Sequence, residues 1–398
     1  MIVLSVTSFC LVISEIALAL VLLTGAGLML KSFMRMRMVY PGFRTENILT
    51  MTVDLPDSAY PTASAIQAFR ASVLAKLSNL PGAVAAGAVN WMPLQPMVVR
   101  GTFQLDGGRE RPRGYIVAKP AVSPDYFRVM GIRLLRGRGF TGQDNSSAPG
   151  VAIVSQSVAR TLWPGEDPVG NRITMEDEPQ PKDWLTIVGV VDDVRQQSLV
   201  EQPQPAIYQP LQQVTIPFFL SHMSFVVRTA TNPQSMAASL RGALSSVDKN
   251  QAVAIAPLTD LMNATTSEIW FQTRLISTFS ILALFLAAIG IYGVLSYAVT
   301  ERTREIGIRM ALGAMKSDVT LMLLKRTLLL VIAGVALGGC GALVLTRVLG
   351  NFLFEVKPTD PVTFMAVAAI LAATGIIAGL LPARRATRVD PVVALRWE

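Results

Sequence analysis

Four long runs of apolar residues stand out along the chain, one close to its start and three in its last third. They cover residues 8–30, 275–300, 327–349 and 362–381. A helix rises about 1.5 Å per residue and the apolar core of a bilayer is about 30 Å thick, so about 20 residues suffice to cross it. Because lipid cannot satisfy backbone hydrogen bonds, each run is predicted to form a transmembrane helix.

The segment between the first two runs, residues 31–274, is more polar and mixes two periodicities. Strand patterns occur at residues 47–53, 84–90, 114–122, 151–154, 184–191 and 224–228, and helix patterns at residues 63–80, 156–163 and 233–247. This interspersed order predicts an α+β domain of two lobes, and turns rich in proline and glycine place the lobe boundary near Ser123.

The expected domain order follows from these two patterns. Residues 1–30 form the first transmembrane helix, residues 31–274 form the inserted domain, and residues 275–398 form a membrane segment with three helices. The loop at residues 301–326 joins the first two helices of that last segment.

Basic residues are concentrated in two segments next to the last three runs. The loop at residues 301–326 contains six basic and three acidic residues, and four arginines follow residue 381. Two helices separate these segments, so they share one side, and the positive-inside rule makes that side the cytoplasm. One observation conflicts with this orientation, because the basic residues Lys31, Arg35 and Arg37 follow the first run on the predicted outer side. The two basic segments that agree with each other outweigh it. The predicted fold class is a membrane α-helical protein with four transmembrane helices and an inserted α+β extracytoplasmic domain.

Composition agrees with a chain that lies partly in lipid. Of its 398 residues, 51% are hydrophobic and 16% are charged. The net charge is +8, but the basic residues gather beside apolar runs, so we expect membrane lipid and not nucleic acid as a partner. Cys10 and Cys340 both lie in apolar runs, which excludes a disulfide within residues 31–274. The first run lacks a basic lead and is too long for a signal peptide, so we expect it to be retained.

The sequence contains few candidate catalytic residues. His222 is the only histidine and no G-x-S-x-G elbow accompanies it, so a solvated loop histidine is favoured over a Ser-His-Asp triad. Asp192 and Asp193 follow a predicted strand without further acidic residues nearby, so a turn is favoured over a metal site. No segment matches the phosphate-binding loop of ATPases. We expect no enzyme activity, no metal and no cofactor.

Two features lie inside the apolar runs. Glu15 is acidic, and acidic groups in lipid are costly and often functional. Because Glu15 is near one end of its run, contact with the interface or a neighbouring helix is favoured over a proton relay. Gly334 and Gly338 form a GxxxG pattern, which predicts close helix packing within the four-helix unit or between protomers.

The loop at residues 301–326 is the most informative segment. Residues 302–312 can form a short amphipathic helix in which Glu305 and Arg309 pair at i, i+4. Such a helix can dock in a groove of a soluble partner or can serve only as a basic topological anchor. The residues alone favour the anchor.

The loop also carries a family resemblance. Its sequence is ERTREIGIRMALGAMKSDV, preceded by IGIYGVLSYAV and followed later by PTDPVTF and LPARRATRVDPVVALRWE. In the inserted domain the matching segments are PGFRTENILTMTVDLP, VSPDYFRVMGIRLLRGRGF, VAIVSQSVARTLWPGEDPVGNRI and WLTIVGVVDDVRQ. Together they resemble the MacB-like and FtsX-like permeases of ATP-binding-cassette transporters, particularly one unit of a bacterial subgroup with duplicated permeases.

The resemblance implies a mechanotransmission permease in the bacterial inner membrane. A separate cytoplasmic ATPase subunit would dock on the loop, and a homodimer or a second permease unit would complete the transporter. Matching positions assign the ATPase contact to nine loop residues: Arg304, Glu305, Ile306, Gly307, Arg309, Ala311, Leu312, Gly313 and Ala314. The implied function is efflux or release of a drug, peptide or lipoprotein. The alternative is an envelope signalling protein or scaffold that activates an extracytoplasmic partner such as a cell-wall hydrolase.

Overall fold

The computed structural model describes residues 2–95, 99–108, 110–301, 308, 315–350 and 353–386. By its internal contacts the chain forms two units. The outer unit comprises Val39–Ser267, and the membrane unit comprises Met1–Met38 together with Glu268–Glu398.

The outer unit mixes short helices with strands, as the sequence patterns predict. Its strands are β1 Ile48–Asp54, β2 Ala83–Val89, β3 Arg100–Gly101, β4 Gln104–Leu105, β5 Val117–Ala118, β6 Ala121–Val122, β7 Leu134–Gly137, β8 Val151–Ser155, β9 Arg172–Thr174, β10 Leu185–Val191, β11 Ile207–Pro210, β12 His222–Thr229 and β13 Val253–Pro257. Its helices are α2 Ala63–Ser78, α3 Tyr126–Met130, α4 Gln156–Leu162, α5 Phe218–Ser221 and α6 Ala237–Ser245.

The strands pair in the order β13-β1-β12-β2-β6-β11-β8-β10-β9-β4, with β7 also paired to β10. Neighbours in the first half, β13 to β6, are antiparallel. The pairs β6–β11 and β8–β10 are parallel. The long β1–β12 pair sets Ile48 opposite Arg228 and Asp54 opposite His222.

Among the described residues of the outer unit, two hydrophobic cores mark two lobes. The first core takes side chains from β1, α2, β2, β12 and α6, and the second takes them from the region between residues 103 and 207. Ala121 of β6 belongs to the first core, whereas Val117 before it and Ala152 after it belong to the second, so the chain passes between the lobes more than once. A single division near Ser123 does not describe this arrangement.

Helix α2 shows how the sequence builds the first lobe. The hydroxyl of its N-cap residue Thr62 accepts a hydrogen bond from the backbone N–H of Ala65. Ile66, Phe69 and Val73 recur at helical spacing and are buried. Arg70 is buried on the same helix, and burial lowers the pKa of its guanidinium to about 10.

Strands within the predicted segment 114–122 are shorter than expected. The segment divides into β5 and β6 on either side of Pro120. Proline has no backbone N–H to donate to a ladder, which explains the break. The helix pattern at residues 233–247 likewise resolves into a 3-10 turn, Pro233–Met236, followed by α6.

The membrane unit is built from long apolar helices. They are α1 Ile2–Met38, α7 Leu258–Glu301, α8 Lys316–Leu349 and α9 Pro361–Ala386. All four are long and apolar enough to span a membrane. The unit boundary falls within α7, whose first turns belong to the outer unit. The four spans and the inserted α+β domain confirm the predicted fold class.

Small residues let the backbones of α1 and α8 approach each other. A Cβ added at Gly338 would lie 2.7 Å from the carbonyl oxygen and 2.8 Å from the Cα of Ala17. A Cβ added at Gly334 would lie 2.6 Å from Ile16 Cβ. The GxxxG glycines therefore face α1 of the same chain, since only hydrogen atoms fit at this contact.

The C-terminal end of α1 contacts the loop between α8 and α9. Lys31 Nζ lies 2.7 Å from Asp360 Oδ2, and Ser32 Oγ accepts a 2.8 Å hydrogen bond from the backbone N–H of Phe354. The hydrogen bond from Lys31 lowers the pKa of the Asp360 carboxyl to about 2. Arg35 donates to the carbonyl of Glu355. Two of the three cations that run against the orientation rule are thus engaged by this loop.

Candidate functional site

The candidate site is an open groove of about 890 Å³ within the outer unit. One wall comes from strand ends and loops of the outer unit, and the other comes from the first turns of α7. The first wall includes Asp54, Trp91, Pro93, Leu94, Gln95, Gln197, Phe218, Ser221 and His222. The helix wall consists of Leu258, Leu261, Met262, Ala264 and Thr265.

An aspartate and the histidine lie together in the groove. Asp54 ends β1 and His222 begins β12, and the antiparallel register sets them directly opposite each other. His222 Nδ1 lies 2.5 Å from Asp54 Oδ1. The Asp54 side chain is 82% exposed, whereas that of His222 is 27% exposed. One carboxylate oxygen is therefore held by the imidazole, and the carboxylate as a whole still faces solvent.

Aromatic rings surround this pair. The Trp91 ring is stacked on His222 at a centroid distance of 6.3 Å and an interplanar angle of 15°. Phe218 and Phe219 lie 6.4 and 6.2 Å from the same indole. Trp91 is buried while Phe218 is exposed. The groove therefore offers an aromatic surface next to a carboxylate.

The backbone of the groove contains a strained residue. Leu94 adopts a φ of 65°, which is rare for a residue that is neither glycine nor asparagine. Its backbone N–H donates a 2.7 Å hydrogen bond to the carbonyl of Gln196, and its side chain is buried. Strain of this kind persists only where surrounding contacts hold it, and it concentrates at functional sites.

The groove is unsuited to acyl hydrolysis. Ser221 precedes His222, but its Oγ donates to the carbonyl of Phe218 at 3.2 Å. A serine nucleophile requires a hydrogen bond to the base that takes its proton. Ser221 therefore does not supply an activated hydroxyl to the Asp54–His222 pair. The aromatic and aliphatic lining is suited to binding a ligand.

His222 does not lie in the solvated loop that the sequence predicts. It is the first residue of β12 and has a specific partner in Asp54. The pairing joins residues that are 168 positions apart. The pairing depends on the register of β1 with β12, so no local sequence pattern reveals it. The sequence shows only a histidine near the start of one predicted strand and an aspartate near the end of another.

The predicted ATPase contact lies outside the described residues. Arg304, Glu305, Ile306, Gly307, Arg309, Ala311, Leu312, Gly313 and Ala314 all belong to that part of the chain. Gly334 and Gly338 are described and belong to the membrane unit. The groove lies in the outer unit, and none of the site residues predicted from the sequence line it.

The remaining acidic candidates have structural contacts. Asp192 Oδ2 accepts a 2.6 Å hydrogen bond from Arg133, and Asp193 Oδ1 accepts one of 2.8 Å from the backbone N–H of Ser157. In the membrane unit, Glu15 lies against Gly290 of α7, where a Cβ would overlap its Oε2. Across the part of the chain that is described, no group of three or more His, Cys, Asp or Glu side chains could hold a metal ion.

Fold and site together define a class: a membrane protein with a large inserted domain. Residues 6–243 match the family described as MacB-like periplasmic core domain, and residues 277–391 match the FtsX-like permease C-terminal family. The chain belongs to the MacB-like, FtsX-like permease family of ATP-binding-cassette transporters. This confirms the resemblance found in the sequence. The chain is an inner-membrane protein with an extracytoplasmic domain.

Curated relatives match over most of this chain. The macrolide export ATP-binding/permease protein MacB of Mannheimia succiniciproducens is 28% identical over 287 residues, which are 70% of this chain and 43% of that protein. The pyoverdine export ATP-binding/permease protein PvdT of Pseudomonas savastanoi is 30% identical over 275 residues, 67% of this chain and 40% of that protein. The chain thus spans less than half the length of these relatives.

A solved structure is also similar. The periplasmic region of MacB from Actinobacillus actinomycetemcomitans aligns with 58% of this chain and 97% of that structure, with 16% identity and a TM-score of 0.39.

Proposed function

We propose that this chain is the permease subunit of a transporter in which a separate cytoplasmic ATPase drives motion of the outer unit. The supporting observation is the FtsX-like match at residues 277–391, which includes three helices able to span a membrane and the basic loop between two of them. The relatives' names pair ATP binding with a permease. The work done would be efflux or release of a drug, peptide or lipoprotein.

In this proposal α7 carries the motion. It is one uninterrupted helix of 44 residues, from the groove wall at Leu258 to Glu301 at the start of the loop. A helix transmits an axial displacement because its backbone hydrogen bonds hold its length nearly constant. Movement imposed on the loop by an ATPase would therefore reach the groove wall through a single element.

The second permease unit is part of the same proposal. The spanning part of α7 exposes large apolar side chains: Phe279, Leu282, Phe285, Leu286 and Ile289. Lipid or another helix must cover them in a membrane. We place a second copy, or the matching unit of a duplicated permease, beside the first.

Capture of an ATPase subunit tests the loop. Glu305→Arg and Arg309→Glu reverse the two charges that pair in its predicted amphipathic helix, and each should reduce co-purification of the cognate ABC ATPase several-fold. Lys357→Glu is the matched control, because it reverses a charge in the loop between α8 and α9 and should leave capture unchanged. Capture that is equal in all variants would contradict the docking assignment.

Transport is tested separately in cells that carry or lack the chain. We expect export of a substrate to require both the chain and the ATPase. If export were unaffected and the activity of an envelope hydrolase were lost, activation of an extracytoplasmic partner would replace transport as the function.

A further inference from the structure

We propose that the groove beside α7 binds a small organic amine with an apolar, planar body. The groove is defined above by Asp54, Trp91 and the α7 residues from Leu258 to Thr265. As a substrate site it rests on the proposed function, whereas binding itself can be measured on the chain without an ATPase.

Size and lining favour a small molecule. Pockets for small ligands occupy about 300–1,000 Å³ and are lined mainly by apolar and aromatic side chains with a few polar groups. The groove has about 890 Å³, and its apolar wall includes Leu94, Phe218, Leu261 and Met262. These side chains can bury a ring system that an open, solvated surface would leave in water.

Charge selects the polar part of the ligand. The chain has a net charge of +8, yet no lysine or arginine is found among the described residues that line this groove. Its acidic group is Asp54, with Oδ1 beside His222 and the side chain 82% exposed. An ammonium group can donate to this carboxylate in a charge-assisted hydrogen bond. An anionic ligand would face the carboxylate with no lysine or arginine among the described lining residues to compensate.

The aromatic side chains of the groove also favour a cationic ligand. A cation near the face of an aromatic ring is attracted by the negative face of that ring. Phe218 lines the groove and is exposed, with its ring centroid 6.4 Å from that of the buried Trp91. Trp91 is stacked on His222, and the strained backbone at Leu94 is held by the hydrogen bond to Gln196, so this wall is preorganised.

A ligand bound in the groove would affect the position of α7. Leu261, Met262 and Thr265 form one wall of the groove, and the same helix continues to Glu301. A ligand held between these residues and Phe218 would favour one position of the helix over others. Binding and helix position are then coupled, since a ligand shifts an equilibrium by its difference in affinity for the two states.

The test uses rhodamine 6G, a cationic planar dye with N–H donors, and fluorescein, an anionic dye with a similar ring system. Binding is measured by fluorescence anisotropy with the full chain in zwitterionic nanodiscs, and empty nanodiscs give the lipid background. We expect rhodamine 6G to bind above this background and fluorescein not to do so.

Variants locate the bound dye. Asp54→Asn should weaken binding of rhodamine 6G about tenfold, as expected for loss of one charge-assisted hydrogen bond. Ala264→Trp should abolish binding because the new ring fills the groove, and Thr265→Trp does the same from the next position if the first variant does not fold. Asp57→Asn and Asn263→Trp are the matched controls, since both residues are exposed and lie outside the lining.

Three results would overturn the proposal. They are binding no greater than that of empty nanodiscs, equal binding of fluorescein, or full retention of rhodamine 6G binding in a folded Ala264→Trp or Thr265→Trp variant. Because no ATPase is present, none of these results bears on docking at the loop. Failure of the ligand assignment and failure of the proposed function are therefore distinguishable.

Discussion

At the scale of single residues, the second lobe contains a well-connected ion pair between Arg138 and Asp144. Two 2.8 Å hydrogen bonds join the guanidinium to both carboxylate oxygens, and Thr141 donates a backbone N–H to the same carboxylate. The Asp144 side chain is 6% exposed. The hydrogen bond from Arg138 lowers the pKa of Asp144 below its ordinary value.

Replacing this carboxylate should destabilise the second lobe. Asp144→Asn leaves the Arg138 guanidinium without its anionic partner, and we expect a loss of about 1–3 kcal/mol at neutral pH. The effect should depend on pH, because the folded pKa lies below the unfolded value of about 3.9. The carboxylate's contribution is complete above that value and is lost as the pH falls below it. The measurement is the melting temperature of the full chain and the variant between pH 7 and pH 3.

An exposed pair provides the control. Asp125 and Arg128 are 3.0 Å apart, but both side chains are more than half exposed. Exposed ion pairs contribute about 0–1 kcal/mol, so Asp125→Asn should change the melting temperature little. A difference between wild type and Asp144→Asn that stays constant across the pH range would contradict the assigned cause.

At the scale of elements, the contact between α1 and α8 depends on two glycines. Gly338→Ala would force a Cβ against backbone atoms of Ala17, which cannot move aside as a flexible side chain can. We therefore expect the two helices to separate and the melting temperature of the chain in detergent to fall. Van der Waals packing between helices is what holds such contacts in lipid.

The neighbouring glycine is a matched control. A Cβ at Gly339 would have no heavy atom within 4 Å. Gly339→Ala should therefore be neutral, or stabilising by up to about 1 kcal/mol through helix propensity. Equal loss of stability in both variants would show that the close approach of α1 is not the reason for the glycine at 338.

Elements with a continuous run of apolar residues were predictable from the sequence. Short or edge strands, which form through pairing with a neighbouring strand, were not. The pattern predicted β1, β2, β8, β10 and β12 within one or two residues, because buried central strands read as apolar runs. It missed β11, which is a four-residue strand ending at Pro210, and β13, which pairs with β1 at the edge of the sheet. It also missed the N-terminal turns of α7, since residues 258–274 lack the apolar continuity of a span.

At the scale of the whole molecule, orientation in the membrane can be measured with cysteine accessibility. With Cys10→Ser and Cys340→Ser as background, we introduce Ser146→Cys in the outer unit and Ser317→Cys at the start of α8, both at exposed positions. An impermeant maleimide applied to intact spheroplasts should label the first variant, because the outer unit lies outside the membrane. It should label the second only after permeabilisation.

The opposite labelling pattern would reverse the orientation derived from the basic segments. It would also remove the loop from the compartment where ATP is available. Labelling of both variants after permeabilisation is the control for reactivity.

The sequence by itself determined the spans, their orientation and the family. Each of these depends on local composition, because about 20 apolar residues must cross the bilayer and basic flanks remain in the cytoplasm. Only the tertiary structure decided the groove. Asp54, Trp91, His222 and Leu261 meet there through the register of β1 with β12 and the packing of α7, and such contacts depend on side chains far apart in the chain. For the same reason the GxxxG pattern could not identify the helix that packs against it. The glycines predict a close contact, and only the structure shows that the partner is α1.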